Sequence, residues 1–185
     1  VPAIAFELLF RKIGVKASPD FTRTVIYAFI GVGLSEVFSK FFFLRKYFYH
    51  DKVFDEPYDG ITYSVMISMG FATLENILYV YVYSKGDPHN IALARAFTAV
   101  PAHATFAIAM GYYTGVARFK SKFPVLHLTA ALLVAMIMHG SYDFFILQRS
   151  YPKLAGGAMV SLVVSVIYSL RAIKLHVAHT PFQHR

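Results

Sequence analysis

The chain has 185 residues, of which 57% are hydrophobic and only 15% are charged, and its formal net charge is +8. Its mean hydropathy of +0.51 excludes an ordinary soluble domain. The apolar residues do not alternate with period two, which excludes a β-barrel, and the basic charge fits loops beside lipid headgroups better than a nucleic-acid partner. The absence of cysteine excludes disulfides and thiol chemistry. We therefore predict an all-α, polytopic transmembrane helical bundle.

Five apolar stretches are long enough to cross a bilayer as helices. We predict spans at about residues 24–44, 61–84, 91–117, 125–147 and 154–175. Residues 1–10 are apolar but too short to cross alone, which leaves a partial N-terminal span or an interfacial helix open. Pro101 interrupts the apolar pattern of the third span. All 185 residues are predicted to form a single integral membrane domain.

The predicted spans carry a few titratable side chains near their middle. An ionisable group in a span costs about 2.5–3.5 kcal/mol on insertion scales, so it normally faces protein or water and marks a functional site. Four different spans contribute one such side chain each, namely Glu36, Glu75, His103 and His139. Because antiparallel helices would bring these residues to a similar depth, we predict that they share one polar site.

Two further polar residues lie one helical turn from members of this set. Asp143 follows His139 at i,i+4, so the two share a helix face and can form a hydrogen bond. Lys40 follows Glu36 with the same spacing, in the better orientation for an ion pair.

Structural roles for the same residues stay open at this point. Glu36 and Lys40 could form an ion pair that serves only the bundle, and His139 could pair only locally with its neighbour. Glu75 with Asn76 could be a polar contact between helices. His103 could bond to a backbone carbonyl that Pro101 leaves without a donor.

The sequence has carboxylates and imidazoles at this depth but no nucleophilic serine motif and no cysteine. This combination indicates that the site activates water. A carboxylate in a low-dielectric pocket can act as a general base, and an imidazole N–H can stabilise an oxyanion. No cofactor is expected, but zinc is an alternative because it binds the same side chains, although the HExxH motif is absent. The ligands would then be His103, His139, Glu36 and Glu75. An ion- or proton-coupled transporter is a further alternative.

The segment Phe54–Val80 resembles the signature of the PrsW family of intramembrane proteases, which is similar to the CAAX-type prenyl endopeptidases. The family motif Phe-x-x-x-Glu-Asn is matched by Phe71, Glu75 and Asn76. The later histidine motifs are matched by His103 and by His139 with Asp143. The resemblance covers the first four spans, with the motifs in the same order.

The resemblance implies an endopeptidase of the bacterial cytoplasmic membrane that cleaves a single-pass membrane protein, such as an anti-sigma factor. It implies that Glu36 is the general base, that His103 positions the water or the scissile carbonyl, and that His139 donates to the oxyanion. Asp143 would orient His139. Glu75 and the neighbouring asparagine would complete the polar cavity. The partners it implies are this substrate and the lipid bilayer, with no nucleic acid.

The sequence departs from the family at one motif position. The family motif Glu-Glu-x-x-Lys reads Glu36-Val37-Phe38-Ser39-Lys40 here, so valine replaces the second glutamate. The substitution is either a natural variant or an introduced one. It implies a weakly active or inactive chain, and it is the basis for a second alternative, a non-catalytic relative that binds a membrane substrate or acts as a scaffold.

Overall fold

The computed structural model describes residues 9–10, 12, 14, 20–83, 87–148 and 151–178. These residues form helices and no strand, which confirms the predicted all-α class. Five helical stretches among them are long and apolar enough to cross a membrane, namely Phe21–Phe48, Pro57–Val82, Pro88–Phe119, Pro124–Leu147 and Lys153–Val177. The five predicted spans are thus confirmed. The prediction for residues 1–10 lies almost entirely outside the described residues, as does Ser84 at the end of the second predicted span.

We label the helices α1 to α6 in chain order. They are α1 (Phe21–Phe48), α2 (Pro57–Leu78), α3 (Pro88–Phe97), α4 (Ala99–Phe119), α5 (Pro124–Leu147) and α6 (Gly157–Val177). A π-helical segment, Tyr79–Tyr83, continues α2, and a 3₁₀ turn, Pro152–Gly156, precedes α6. Three helices begin at a proline, earlier than the predicted spans. Proline suits the first helical turn, where its missing N–H is not needed.

α1 is not a uniform α-helix. Its N-terminus is capped by the carboxylate of Asp20, which accepts a hydrogen bond from the backbone N–H of Arg23 at 2.7 Å. Two π-helical segments, Tyr27–Leu34 and Leu44–Phe48, flank a regular α-helical stretch, Ser35–Phe43. π-Helical turns within helices occur frequently at functional sites. The regular stretch carries the Glu-Val-x-x-Lys sequence on a largely buried face.

The third membrane-spanning stretch is divided into α3 and α4 at Thr98, whose backbone lies outside the helical region at φ −122° and ψ −68°. Pro101 explains the break, because it has no N–H for the carbonyl of Phe97 and its ring crowds that carbonyl. The interruption predicted at the proline therefore falls one turn earlier. Pro101 itself lies in the first turn of α4, where it is tolerated.

α2 and α4 pack closely through small residues. A Cβ atom added to Gly111 would lie 2.3 Å from the backbone oxygen of Gly60, so no side chain fits between these backbones. Next to this contact, Ser64 donates a hydrogen bond of 2.7 Å to a backbone carbonyl of α4. Ser68 donates to the carbonyl of His103 at 3.0 Å. Close approach and hydroxyl hydrogen bonds are the usual means of helix association in membranes.

α4 is the central helix, with α2, α5 and α6 packed around it. α6 is attached by Ser169, which donates to the carbonyl of Thr105 at 3.1 Å. α5 also packs along the first half of α1, where Gly140 lies against the ring of Phe29. This arrangement brings the polar faces of α1, α2, α4 and α5 together.

Candidate active site

The side chains of Glu36, Glu75, His103 and His139 meet in one buried cluster, supplied by α1, α2, α4 and α5 respectively. The two imidazole rings lie with their centroids 5.2 Å apart. Oε2 of Glu36 lies 3.7 Å from Nε2 of His139, and Oε2 of Glu75 lies 2.7 Å from Nε2 of His103. The structure thus places the four sequence-predicted residues within contact of one another, as the depth argument expected.

Lys40 joins two of these residues. Its Nζ lies 3.2 Å from Oε2 of Glu36 and 2.9 Å from Nδ1 of His103, and it stands 4.3 Å from the ring centroid of Phe71. The lysine side chain is only 4% exposed. The ion pair anticipated from the i,i+4 spacing is therefore present, but it is not confined to α1, because the same ammonium group contacts the histidine of α4.

The two polar neighbours of His103, Lys40 and Glu75, determine which ring nitrogen carries the proton. A lysine ammonium group can only donate, so Nδ1 of His103 accepts from Lys40. A carboxylate can only accept, so Nε2 carries the proton and donates to Glu75 at 2.7 Å. Both contacts require the same neutral tautomer. The structural alternative in which His103 bonds to a carbonyl freed by Pro101 is not what the structure shows.

Arg95 of α3 is part of the cluster, although the sequence analysis did not single it out. Its guanidinium donates to Oε2 of Glu75 at 2.9 Å and to Oδ1 of Asn76 at 2.7 Å, and it stacks over the ring of Tyr79 at 4.0 Å. The contact between helices anticipated for Glu75 and Asn76 therefore exists, with an arginine as its partner. An arginine within an apolar stretch needs an acidic partner, but the sequence alone does not show which acidic residue that is.

Asp143 lies one turn beyond His139 on α5, as predicted. Its Oδ2 is 3.2 Å from Nε2 of His139, but the two atoms are not aligned for a hydrogen bond. Among the described residues, Asp143 Oδ2 and His139 Nδ1 are buried atoms without a hydrogen-bond partner. The ring of His139 is instead held by stacking on Phe106, with the centroids 5.0 Å apart.

Val37 lies beside the cluster rather than in it. It is 1% exposed and belongs to an apolar core whose other buried members are Leu44, Met110, Ala131 and Ala135. A cavity of about 10 Å³, the space of roughly one water molecule, separates Val37 from Ser68 and Phe106, and Lys40 also lines it. Position 37 therefore borders the same small cavity as Lys40 but belongs to the apolar core.

The cluster is less enclosed on the side of Glu75 and Asp143 than on the side of its imidazoles. The side chains of Glu75 and Asp143 are 18% and 17% exposed, whereas those of His103 and His139 are 5% and 4% exposed. Glu75 and His139 each precede the end of their span by about two turns, and both spans end at the same surface. At 1.5 Å per residue, Glu75 and His139 lie about 10–12 Å from that end of their spans, whereas Glu36 lies near the middle of α1, about 22 Å from its start.

The cluster has the side chains needed to bind a metal ion or to activate water directly. Glu36, His103 and His139 each offer one ligand atom, and these three atoms all lie within 4.8 Å of one another. The same residues provide a carboxylate that can accept a proton and an imidazole that can donate one, in surroundings of low dielectric.

The chain is similar to known proteins over most of its length. A family model described as "PrsW family intramembrane metalloprotease" matches residues 1–170. Three curated relatives are each named "Protease PrsW". That of Bacillus subtilis is 44% identical over 148 residues, that of Geobacillus kaustophilus 38% over 148 residues, and that of Oceanobacillus iheyensis 32% over 169 residues.

The matched regions cover 80%, 80% and 91% of this chain, and 66%, 62% and 77% of the respective relatives. The chain thus spans about two thirds of the length of these relatives. No solved structure is significantly similar to it. The family match and the five apolar helices make it an integral protein of the bacterial membrane. The chain belongs to the PrsW family.

Proposed function

We propose that the chain is an intramembrane endopeptidase that hydrolyses a peptide bond of a single-pass membrane protein. The observation that carries the proposal is the meeting of Glu36, His103 and His139 from three apolar helices, beside the partly exposed carboxylates of Glu75 and Asp143. Charged groups in apolar surroundings are costly, and a set drawn from separate helices indicates a function. The family match supports the same reaction class.

In this proposal Glu36 takes a proton from a water molecule, whose oxygen forms a bond to the scissile carbonyl carbon. The ammonium group of Lys40, 3.2 Å away, holds the carboxylate in place and balances its charge. His139, 3.7 Å from Glu36, donates to the oxyanion that develops on the carbonyl oxygen. The carbon–nitrogen bond then breaks, and the proton taken by Glu36 passes to the leaving amine.

A metal ion is the second candidate chemistry, and the donor set of this chain fits it. Two histidines and one glutamate match the ligands of catalytic zinc, which leave a fourth position open. The Glu75 carboxylate behind His103 matches the outer contact that orients a metal-bound imidazole. Zinc would supply an activated water and polarise the carbonyl. Lys40 contacts Glu36 and His103, so its ammonium group would have to withdraw from them.

The substrate is proposed from the resemblance described above, which implies a single-pass protein of the anti-sigma-factor type. The alternative of a non-catalytic relative rests on Val37. Because Val37 faces the apolar core, the contacts of Glu36 do not depend on the missing carboxylate, which supports activity.

The test is cleavage of a single-pass membrane protein by the purified chain in lipid nanodiscs, with the products identified by mass spectrometry. We expect cleavage by the parent chain and none by Glu36→Gln, while Arg171→Gln, at an exposed position of α6, behaves as the parent. Zinc content and the effect of a chelator separate the two chemistries. No cleavage by the parent or by Val37→Glu, over a panel of substrates, would favour the non-catalytic alternative. Ion flux in proteoliposomes would indicate the transporter.

A further inference from the structure

α3 is the least embedded helix of the bundle. It consists of Pro88–Phe97, and among the six described helices it alone has no buried residue. Ile91 and Arg95 are its half-buried positions, and as i,i+4 neighbours they form the face that lies against the continuation of α2. Leu93 and Phe97, on the opposite face, are 51% and 73% exposed. Moving α3 away from α2 would therefore uncover little of the apolar core.

α3 is also not needed to cross the membrane. α4 alone has 21 residues, which at about 1.5 Å per residue gives a length of about 31 Å and matches a hydrocarbon core of about 30 Å. The helical path between α3 and α4 breaks at Thr98. The hydroxyl group of Thr98 donates to the carbonyl of Ala94 at 2.8 Å, which completes the last turn of α3 as a separate unit. α3 can thus move as one rigid piece about this residue.

Arg95 supplies the polar contacts that hold α3 against α2. Its Nε donates to Oδ1 of Asn76 at 2.7 Å, and its terminal nitrogen donates to Oε2 of Glu75 at 2.9 Å. Its guanidinium lies 4.0 Å from the ring centroid of Tyr79. The planar fork of arginine makes these three contacts at once, which the point charge of lysine does not. One side chain thus provides the directional contacts of the whole helix.

This attachment is made to the active-site cluster itself. Oε2 of Glu75 also lies 2.7 Å from Nε2 of His103, and the Glu75 side chain is 18% exposed, on the less enclosed side of the cluster. The four helices that supply the cluster, α1, α2, α4 and α5, all bury apolar side chains against one another, so they cannot separate without exposing core. Among the described helices at the cluster, α3 is therefore the one that can move at the lowest cost.

We propose that α3 is a hinged strap across the cluster, fastened to α2 by Arg95, and that it swings away about Thr98 to admit the transmembrane segment of the substrate. α3 begins at the end of its span, so a released Arg95 can extend its guanidinium to lipid phosphate groups. Glu75 meanwhile keeps its contact with His103. The admission of a substrate rests on the proposed function, whereas the movement of α3 does not.

The movement is measured by electron paramagnetic resonance on the full chain in lipid nanodiscs. The sequence has no cysteine, so spin labels attach only to Leu93→Cys on α3 and Val164→Cys on α6, both at exposed positions. We expect one main distance between the labels in the parent chain. When Arg95→Gln is added, we expect a second distance to account for most of the molecules. Arg171→Gln, at an exposed position of α6, is the matched control and should leave the distances unchanged.

The role of this movement in substrate entry is tested by a reversible cross-link. Val80 and Ile91 each lie one turn nearer to the connection between α2 and α3 than Asn76 and Arg95, and both are half-buried. A short bis-methanethiosulfonate reagent should therefore join Val80→Cys to Ile91→Cys. We expect the joined chain not to cleave a single-pass substrate, and its Glu36→Gln form not to capture a photoreactive version of that substrate. Dithiothreitol should restore both, and the single-cysteine chains are the controls.

If Arg95→Gln does not fold, Arg95→Lys carries the distance measurement, with the second distance expected in a smaller fraction of the molecules. A folded variant whose label distances equal those of the parent would overturn the proposal. So would a joined chain that captures and cleaves the substrate as fast as the single-cysteine controls. A parent chain that cleaves nothing would remove the proposed function, while the distance measurement would still decide whether Arg95 fastens α3.

Discussion

Nζ of Lys40 lies 2.9 Å from Nδ1 of His103, a residue 63 positions later in the chain. This contact connects the ion pair within α1 to the polar face of α4. It also requires an unprotonated Nδ1, since the ammonium group has no acceptor. Any chemistry at the cluster must therefore either keep Lys40 in place or displace it from this nitrogen.

Replacing Lys40 with methionine should abolish cleavage and destabilise the chain. Methionine keeps most of the volume but leaves Glu36 without its cation at a site that is almost fully buried. Breaking a buried pair by removing one partner typically costs about 3–5 kcal/mol of unfolding free energy. Thermal unfolding in nanodiscs and a cleavage assay measure the two effects. Lys174→Met, at an exposed position of α6, is the control, and a Lys40→Met chain as stable and active as this control would contradict the proposed role.

Replacing His139 with alanine in a Val37→Glu background should abolish cleavage and preserve the fold. The imidazole is held mainly by stacking on Phe106, and Lys40, the other N–H donor beside Glu36, is already engaged with Glu36 and His103. Loss of such a donor lowers kcat by about 10²–10³-fold. The control is His127→Ala, which removes a histidine of the same helix that contacts Ser121 near the start of α5. Full activity of His139→Ala would refute its assignment to the oxyanion.

Replacing Val37 with glutamate should increase cleavage by about 10-fold, the lower end of what a supporting group beside the reacting residues contributes. Position 37 and Lys40 line the same small cavity, so a carboxylate at position 37 lies on the side of the lysine rather than beside the substrate. Val37→Gln introduces a side chain of the same size as glutamate but without its charge, and it should not increase the cleavage rate. Cleavage rates of the three chains at equal concentration make the comparison. If the parent chain and Val37→Glu cleave at equal rates, the missing second carboxylate of the motif does not limit the activity of the parent chain.

Replacing Gly111 with alanine should lower both the thermal stability and the activity. The added Cβ would meet the backbone of Gly60 at 2.3 Å, and backbone atoms cannot move aside as a flexible side chain can. α2 and α4 must then separate, which shifts Glu75 away from His103. Gly70→Ala is the matched control, because nothing lies within 4 Å of its added Cβ. It should stabilise the chain by about 0.4–1 kcal/mol through reduced freedom of the unfolded state. Equal melting temperatures for the two variants would contradict the packing argument.

The sequence was sufficient to predict the helices and four members of the cluster, because both follow from the cost of placing polar groups in lipid. The depth of Glu36, Glu75, His103 and His139 along their spans can be counted directly, and the structure places them together. The second span is predicted to begin at residue 61, but its helix begins at Pro57, because proline is accommodated as the first residue of a helix.

Two features could not be predicted in this way. Arg95 lies near the start of a span, where charges commonly face water, so its inclusion in the cluster depends on how α3 packs against α2. The contact of Lys40 with His103 depends on the rotation of α1 about its axis, which the π-helical segments change and the hydrophobic pattern does not reveal. Helix rotation and docking are tertiary properties and follow from packing rather than periodicity.

The glycine contact between α2 and α4 also has a mechanical consequence. Gly60 lies near one end of α2 and Glu75 lies four turns further on, a distance of about 22 Å along the helix axis. Over this distance α2 is tied to α4 by the Gly60–Gly111 contact and then by the hydrogen bonds of Ser64 and Ser68. Without the two serine hydrogen bonds, a rotation of only about 5° at the glycine contact would carry the carboxylate roughly 2 Å, enough to break its hydrogen bond to His103. The stiffness of the whole seam between α2 and α4 is therefore what sets the alignment of the reacting groups.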